Sequence, residues 1–312
     1  MNALIIPVYK NENSIKELVS GVKNINGGLS EGMTAVFVVD GSPDNSSGLL
    51  EKLLPTAGFK SKLVEHSRNF GSFEAIRTGM KEIEADKYAV MAADLQEPPE
   101  LIIDFFKNLK YNEKDIVFGI RENRKDPFVS KIFSAIFWKF YRRFIIKEIP
   151  PGGVDVFGCV RQVRDRIVSF TEANSSLVAQ LFWVGFKRSY IRYERRKRER
   201  GKSAWTFRKK FNYLMDSVFS VTDLPIKFLI ALGTAGIVLS VGLGFTVFIS
   251  RLAGLIEVSG YTALMLTIIF FGTANILGVG IAGAYAHRSY ENTKGRPQAI
   301  TVYSKEFNGG EK

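Results

Sequence analysis

Ala92-Ala93-Asp94-Leu95-Gln96-Glu97-Pro98-Pro99-Glu100 is the stretch that decides the fold of this chain. Apolar residues run from Tyr88 to Ala93, which is typical of a buried strand, and they stop at the carboxylate of Asp94. The Pro-Pro-Glu sequence then favours the first turn of a helix. In an open α/β sheet, ligands bind outside the carboxyl ends of the strands. Asp94, followed two residues later by the amide of Gln96, therefore predicts a site that can hold a hard cation against a diphosphate.

Strand and helix patterns alternate on both sides of this stretch. Short apolar runs predict strands at Ala3–Val8, Ala35–Val39, Lys62–Glu65, Tyr88–Ala93, Asp115–Gly119 and Val154–Val160. Apolar residues at helical spacing predict intervening helices at Asn13–Asn24, Phe73–Ile83 and Pro99–Leu109. This order predicts an α/β fold in which residues 1–126 and 150–195 form a mostly parallel sheet with helices on both faces.

Two amphipathic segments lie outside this alternating pattern. Residues 127–149 interleave phenylalanine and isoleucine at helical spacing with lysine and arginine, and residues 203–222 form a second such segment. A basic, aromatic amphipathic helix is typical of the membrane interface. We therefore expect two juxtamembrane helices here. For the first of them, a helix packed on the sheet is the alternative.

Two long uncharged stretches predict membrane spans. Phe228–Ser250 contains 23 residues without a charge and Val258–Ala286 contains 29, and each exceeds the ~20 apolar residues that a bilayer-spanning helix needs. Both are rich in glycine, which lets membrane helices pack closely. We therefore expect transmembrane helices at residues 226–250 and 258–287. A pair of buried core helices is the alternative, although such helices seldom run past ~20 residues without a charge.

The net charge of +12 is concentrated before the first predicted span. Residues 187–210 hold twelve Lys or Arg and two Glu, and the tail, residues 288–312, also carries basic residues. The positive-inside rule then places both termini and the sheet domain in the cytoplasm, on a multi-pass protein of the inner (cell) membrane. Nucleic acid is the rival partner for a basic stretch. The position beside two spans favours anionic lipid, and we expect no nucleic-acid partner.

Several other classes of site find no support in the sequence. Met1–Val8 is apolar but too short for a signal peptide. The single cysteine, Cys159, rules out an internal disulfide and fits a reducing compartment, and we interpret it as a small buried hydrophobe. His66 and His287 are too isolated for a zinc site or a catalytic dyad. No Gly-x-Gly-x-x-Gly or Walker loop is present, which argues against dinucleotide oxidoreductases and ATPases.

Four motifs at predicted strand ends together resemble a known family. In chain order they are Ile6-Pro7-Val8-Tyr9-Lys10-Asn11-Glu12, Val39-Asp40-Gly41-Ser42-Pro43-Asp44, Ser67-Arg68-Asn69-Phe70-Gly71 and Asp94-Leu95-Gln96-Glu97-Pro98-Pro99-Glu100. Their order and spacing resemble family 2 glycosyltransferases of GT-A (Rossmann-like) fold. More narrowly, they are similar to polyprenyl-phosphate glycosyltransferases, the bacterial relatives of dolichol-phosphate mannose synthase, which include undecaprenyl-phosphate glucosyltransferases. The similarity continues through residues 119–126, 153–157, 198–203 and 294–297 and covers nearly the whole chain.

The resemblance implies transfer of a sugar from a nucleotide-diphosphate sugar, UDP-glucose or a related UDP-hexose, to polyprenyl (undecaprenyl) phosphate at the cytoplasmic membrane face. A single displacement at the anomeric carbon would invert its configuration. The motifs assign the nucleotide-sugar donor to Pro7, Tyr9, Glu12, Asp40, Asn69 and Asp94. A carboxylate such as that of Asp40 can accept hydrogen bonds from a base or ribose. The alternative for Asp40 is a turn-forming role before Gly41.

The resemblance also implies a divalent metal, Mg²⁺ or Mn²⁺, held by Asp94 and Gln96 against the leaving diphosphate. Relatives carry an Asp-x-Asp-x-Gln pattern, and Ala92 replaces its first aspartate here. Val39 likewise replaces the first residue of an Asp-Asp pair. These departures are consistent with weaker metal binding, with more coordination by donor phosphates and water, with an altered donor, or with a protein that no longer catalyses. Compensation by Glu97 is an alternative, but its side chain is expected to point away from Asp94.

Basic residues are expected to receive the acceptor phosphate, because a guanidinium binds phosphate through two hydrogen bonds. A phosphate monoester is already anionic at about pH 7 and needs no general base to become a nucleophile. We predict acceptor contacts by Arg121, Arg124, Lys131, Ser134, Arg198, Arg200 and Lys202. The predicted catalytic residues are Asp94, Arg121, Arg124 and Asp155, the last orienting the sugar or an arginine. A basic face on anionic lipid is the alternative for the arginines and lysine at 198–202.

Two other functions remain open at this point. A degenerate relative that binds a nucleotide sugar or lipid as a membrane scaffold is consistent with Ala92 and Val39. A processive polysaccharide synthase is the second, but its Gln-x-x-Arg-Trp motif is matched only superficially by Gln180-Leu181-Phe182-Trp183, and two spans do not line a pore. Small-residue faces on the predicted spans favour a homo-oligomer, a dimer or a tetramer.

Overall fold

The computed structural model describes residues 1–111, 114–122, 138–139, 141–143, 145–154, 156–172, 175–195, 215, 218, 222, 224–253 and 260–310. The chain forms two compact units, Met1–Lys210 with Arg296–Lys312, and Phe211–Gly295. Most of the two predicted amphipathic segments, residues 127–149 and 203–222, lies outside the described residues. The prediction that they are juxtamembrane helices therefore stays a prediction.

An eight-stranded sheet forms the centre of the first unit. Its strands are β1 (Asn2–Val8), β2 (Thr34–Val39), β3 (Lys60–His66), β4 (Lys87–Val90), β5 (Ile116–Glu122), β6 (Phe157–Val160), β7 (Arg188–Glu194) and β8 (Thr301–Phe307). Their order across the sheet is β7-β5-β6-β4-β1-β2-β3-β8.

The strand directions bring most carboxyl ends to one edge of the sheet. β1 is parallel to β2 and β4, β2 is parallel to β3, and β5 is parallel to β7. β6 is antiparallel to both β4 and β5, and β8 is antiparallel to β3. The sheet is therefore mostly parallel, as predicted, and β6 and β8 are its two antiparallel strands. Because β6 reverses direction between β4 and β5, the carboxyl ends of β1–β5 and β7 all lie at the same edge.

Helices cover both faces of the sheet, as predicted. They are α1 (Ile15–Gly27), α2 (Ser46–Leu53), α3 (Ser72–Lys81), α4 (Pro99–Tyr111), α5 (Arg161–Ser169) and α6 (Leu177–Trp183), with 3₁₀ turns at Glu12–Ser14 and Leu54–Thr56. α1 contacts α2 and α4, and α3 contacts α5 and the strands β1 and β2. Leu4, Ile6 and Val8 alternate along β1 and join the main core with α1 and α4. Ile5 faces α3, and a Cβ added at Gly79 would lie 2.5 Å from its side chain.

Several elements differ from their predicted bounds. β4 ends at Val90 rather than at Ala93, because the chain turns around Asp94. α2, α5, α6 and β7 were not predicted. β8 was not predicted either, because most of its side chains are exposed and polar and only pairing with β3 makes it a strand. The segment predicted only as a tail, residues 288–312, thus contributes the strand at one end of the sheet.

The second unit contains two long helices, α7 (Leu224–Leu252) and α8 (Tyr261–Thr293), which contact each other. Both expose apolar side chains, among them Phe228, Ile230 and Phe270. Within the described parts of the chain, however, no helix has both the length and the apolarity needed to cross a membrane. The predicted spans at 226–250 and 258–287 therefore coincide with helices but are not supported as transmembrane.

Candidate active site

The candidate site lies at the edge where the carboxyl ends of the strands meet. β1 has β2 on one side and β4 on the other. The connections from β1 through β2 to β3 run one way across the sheet, and β4 lies on the opposite side. This is a topological switch point, the place at which ligands bind in open α/β sheets, outside the carboxyl ends of two neighbouring strands. We call this place the crevice. The predicted donor residues at β1–β3, the Asp94 turn after β4 and Arg121 at the end of β5 follow one another along this edge.

Backbone strain is concentrated at the two strand ends beside the crevice. Among the described non-glycine residues, positive φ angles occur at Lys10, two residues after β1, with φ 56°, and at Leu95, in the turn after β4, with φ 53°. The Leu95 side chain packs toward α1, where a Cβ added at Gly21 would lie 3.0 Å from its Cδ2 atom. Left-handed backbone at non-glycine residues costs of order 1–3 kcal/mol and clusters at functional sites. The strain therefore supports the assignment of this crevice as the site.

The turn after β4 carries the predicted metal ligands, of which Asp94 is partly buried and Gln96 is buried. The backbone N–H of Gln96 donates to Oδ1 of Asp94 over 3.4 Å. Glu97 is only 2% exposed, and its Oε2 atom accepts the backbone N–H of Ala92 over 3.3 Å. Its carboxylate therefore turns back to the residue that lacks the family's aspartate. No group of three or more His, Cys, Asp or Glu side chains that would hold a metal is found among the residues the structure describes.

Asp40, directly after β2, is buried and hydrogen-bonded on both carboxylate oxygens. Its exposed fraction is 2%. Oδ1 accepts the backbone N–H of Phe70 and faces Nδ1 of His66, each at 2.8 Å, and Oδ2 accepts the N–H of Gly71 at 2.8 Å. The Nδ2 group of Asn69 donates to the carbonyl oxygen of Asp40 over 3.3 Å. Asp40 thus fixes the loop that carries Asn69, and direct contact with a nucleotide stays a prediction for both residues.

The loop after β2 and the loop after β3 touch backbone to backbone at Gly41. Its φ angle is +54°, in the left-handed region. A Cβ added at this position would lie 2.2 Å from the carbonyl carbon of Arg68 and 2.5 Å from the backbone nitrogen of Asn69. Only glycine allows both the φ angle and this approach. The Asp-Gly pair of the second motif is therefore explained by the geometry of the loop.

Asp44, which no sequence argument had singled out, joins the loops after β1 and β2. Oδ1 accepts the hydroxyls of Ser42 and Ser46 at 2.6 and 2.7 Å, and Oδ2 accepts the backbone N–H of Glu12 at 3.0 Å. The Glu12 carboxylate in return accepts the N–H of Asn45 at 3.2 Å. Partial burial would raise the pKa of Asp44, but these hydrogen bonds outweigh it and hold the pKa below its ordinary 3.8. These bonds fix Glu12 at the same edge of the sheet as Asp40.

We expect Asp44→Asn to lower the free energy of unfolding by about 1–3 kcal/mol at neutral pH, since hydrogen bonds to a charged acceptor are lost. A carboxylate with a lowered folded-state pKa stabilises the protein above its unfolded pKa, and this contribution disappears as the pH falls through the folded value. The difference between the two proteins should therefore shrink below about pH 4. Urea unfolding at a series of pH values measures it. Glu17→Gln, at an exposed carboxylate on α1, is the control and should change little.

The remaining predicted site residues are placed as follows. Pro7 lies in β1 opposite Val38, and Tyr9 is half-buried just beyond the strand end. Arg121 lies in β5 opposite Tyr193 of β7 and is partly buried at the same edge as Asp94. Outside the described residues are Arg124, Lys131, Ser134, Asp155, Arg198, Arg200 and Lys202. Their roles in acceptor binding and catalysis stay predictions.

Cys159 and Gln180 have structural surroundings. Cys159 is buried in β6, and burial raises the pKa of its thiol to about 12, which fits a buried hydrophobe rather than a nucleophile. Gln180, the first residue of the superficial synthase motif, accepts a hydrogen bond from the buried guanidinium of Arg77. Arg77 also donates to the carbonyl oxygens of Ile167 and Phe170. Gln180 therefore has a structural partner on α3.

Comparison with known proteins agrees with the motifs. The model of the glycosyl transferase family 2 matches residues 3–170. The uncharacterized glycosyltransferase YkcC of Bacillus subtilis is 30% identical over 97% of this chain and 93% of its own length. The undecaprenyl-phosphate 4-deoxy-4-formamido-L-arabinose transferase of Klebsiella pneumoniae is 25% identical over 95% of this chain and 91% of its own. The bactoprenol glucosyl transferase of Shigella phage SfV is 25% identical over 97% and 99%. This chain therefore belongs to glycosyl transferase family 2.

Proposed function

We propose that this glycosyltransferase moves a hexose from a nucleotide-diphosphate sugar, UDP-glucose or a related UDP-hexose, to polyprenyl phosphate with inversion at the anomeric carbon. The observation that carries the proposal is the order of groups along one sheet edge. Loops tied together by Asp40 and Asp44 lie beside the crevice, Asp94 and Gln96 lie at its β4 side, and Arg121 lies beyond them. Relatives named for undecaprenyl phosphate and bactoprenol, aligned over nearly the whole chain, support the acceptor class.

In the proposed reaction these residues must position the two substrates and offset their negative charge. The acceptor phosphate carries its own nucleophilic oxygen, so it must be brought in line with the anomeric carbon while two anionic groups approach each other. The guanidinium of Arg121, on a strand and half-buried, suits a phosphate because it offers fixed donors and a permanent charge. Loops anchored by buried hydrogen bonds hold the donor without reorganising during the reaction. Attack in one step from the far side of the leaving diphosphate gives inversion.

A divalent cation, Mg²⁺ or Mn²⁺, is part of the proposal. Asp94 and Gln96 offer a carboxylate and an amide oxygen, the ligands that hard cations take. Mg²⁺ is commonly held by one or two carboxylates together with substrate phosphates, so these two residues fit a cation shared with the donor. When bound, it would offset the charge that develops on the leaving diphosphate.

We also propose that the protein lies in the membrane, because its acceptor is a lipid and its sequence contains long uncharged stretches. Uncharged stretches at 228–250 and 258–286 and the basic residues at 187–210 support a multi-pass protein of the inner membrane that contacts anionic lipid. The catalytic unit and both termini would face the cytoplasm. A dimer or tetramer is proposed from the small residues of the same stretches. Resistance to carbonate extraction, with accessibility of single introduced cysteines to a membrane-impermeant reagent, tests this placement.

The direct test is transfer itself. Detergent-purified full-length protein with Mn²⁺ is expected to move radiolabelled sugar from a UDP-hexose to undecaprenyl phosphate, and the lipid product should be the β-anomer if the donor is α. Arg121→Ala should abolish transfer, because a close phosphate contact is lost at an anionic centre. Arg166→Ala, at an exposed arginine on α5, is the matched control. Full transfer by Arg121→Ala would remove this residue from the site.

A second candidate function is a nucleotide-sugar or lipid binder without transferase activity. It is favoured by Ala92, at the position where relatives carry an aspartate, and by the two protein oxygen ligands that remain beside it. Binding of UDP with no transfer of any nucleotide sugar would support this candidate. Ala92→Asp then discriminates, because a gain of Mn²⁺ affinity together with transfer would identify the missing carboxylate as the cause.

A further inference from the structure

His66, the last residue of β3, is enclosed by polar partners on both sides of its ring. Its side chain is fully buried. Nδ1 lies 2.8 Å from Oδ1 of Asp40, and Nε2 lies 2.9 Å from the hydroxyl oxygen of Thr78 on α3. The ring edge also contacts Phe70, with centroids 5.5 Å apart. No metal-ligating or catalytic partner lies near His66 in the sequence. Its partners come instead from the loop after β2 and from α3.

We propose that His66 is a positioning residue for the donor site. It orients the buried Asp40 carboxylate, which in turn holds the backbone N–H groups of Phe70 and Gly71, and so sets the loop Ser67–Gly71 at the crevice. We name this loop the donor loop. The inference rests on the proposed function, because it assigns His66 to binding of the nucleotide diphosphate.

The hydrogen-bond directions fit this role. A carboxylate accepts hydrogen bonds, so Nδ1 of His66 must carry the proton that points to Asp40. In the neutral ring Nε2 is then an acceptor for the hydroxyl of Thr78, so both ring nitrogens are satisfied. A tautomer is fixed by the bond that the other nitrogen makes. The bond from Nδ1 to Asp40 is the one that leads to the donor loop, and the bond to Thr78 satisfies the far side of the ring.

Loss of the imidazole is expected to displace the donor loop first. A buried carboxylate that loses a donor is left undersatisfied, and water or a rearranged loop must replace the missing bond. The atoms that would move are the N–H groups of Phe70 and Gly71, each 2.8 Å from Asp40. The donor loop cannot move toward Gly41, because the backbone of Gly41 already contacts that of Arg68. Displacement of the donor loop therefore changes the shape of the crevice edge and not only the core.

Two substitutions of His66 separate positioning from general stability. The amide nitrogen of His66→Asn reaches the place of Nδ1 and can still donate to Asp40. The longer His66→Gln carries its amide to the place of Nε2, so it keeps Thr78 and loses Asp40. Thr78→Val removes the hydroxyl alone. All three disturb one buried hydrogen-bonded chain, and all are expected to lower the Tm of the full-length protein.

UDP binding to the purified full-length protein, measured by calorimetry with Mn²⁺, is expected to weaken at least about tenfold in His66→Gln. It should change less than about threefold in His66→Asn and Thr78→Val. In transfer assays the same His66→Gln variant should raise KM for the nucleotide sugar more than it lowers kcat. Amide hydrogen exchange of Phe70 and Gly71 should be faster in His66→Gln than in His66→Asn.

Equal UDP affinity and equal exchange at Phe70 and Gly71 in the Asn and Gln variants would overturn the inference, whatever their Tm values. If the unmutated protein binds UDP but transfers no sugar, the proposed transfer fails while the affinities still decide the role of His66. If it binds no UDP at all, the assignment of the donor site is wrong, and the proposed role of His66 in nucleotide binding is wrong as well. The exchange data then show only whether His66 holds the donor loop in place.

Discussion

Asp94→Ala should reduce sugar transfer by at least about 10³-fold in kcat/KM, because it removes the carboxylate that faces the leaving diphosphate in the proposed reaction. Ala92 gives this site no second aspartate to share the role, and the Glu97 carboxylate is engaged by the backbone N–H of Ala92. The loss should appear mainly in kcat, with a parallel loss of Mn²⁺ affinity measured by electron paramagnetic resonance. The Tm should fall little, since Asp94 is half-buried in a turn outside the sheet.

The matched control for Asp94 is Asp165→Ala, at an exposed carboxylate on α5 that pairs with Arg164. It removes the same charge away from the crevice and should leave kcat/KM within about twofold, because Asp165 is exposed and the buried Arg164 keeps its ion pair with Glu84. Ala92→Asp is the complementary change and should tighten Mn²⁺ binding. Undiminished transfer by Asp94→Ala would show that the diphosphate is stabilised by other groups and that the β4 turn is not the metal site.

Gly41→Ala should be among the most destabilising single substitutions in the first unit. The new Cβ would lie 2.2 Å from the carbonyl carbon of Arg68, and the φ angle of +54° disfavours any L side chain. Backbone atoms cannot swing aside as a side-chain end can, so the loops after β2 and β3 must separate. We expect a loss of at least about 3 kcal/mol in the free energy of unfolding. Chemical denaturation measures that loss, and UDP affinity should fall with it.

Gly27→Ala is the control for this effect. Gly27 is the last residue of α1, and a Cβ there would meet no atom within 4 Å. Alanine favours helix more than glycine does, so this variant should be neutral or slightly more stable. If Gly41→Ala unfolds at the same denaturant concentration as Gly27→Ala, the contact between the two loops is not part of the folded state.

The strand-end residues were predictable because their signal is local. An apolar run that stops at Asp40 or Asp94 and is followed by a turn can be recognised within about ten residues. Topology alone then brings these ends together at one edge. A different local signal, a long stretch without charge, predicted transmembrane helices at 226–250 and 258–287. Helices are observed there, but among the described residues none meets the requirements of a membrane span.

The roles of Asp44 and His66 were not predictable in this way, because their partners are defined only in three dimensions. His66 meets Asp40 from 26 positions away, and Asp44 receives the N–H of Glu12 from 32. β8 is the extreme case, with Lys305 bonded to Glu51 across 254 positions. Its polar, exposed residues give no periodic signal, and its partner strand lies near the other end of the chain.

The pairing of β8 with β3 affects how the protein folds while it is being synthesised. Thr301–Phe307 are synthesised after the whole of the second unit, yet they complete the sheet beside Lys60–His66. While the ribosome is still making the second unit, the first unit must wait with β3 as an open edge strand. Such an edge can pair with other chains. Premature termination before residue 301 should therefore yield nascent chains that depend on chaperones and that aggregate through β3.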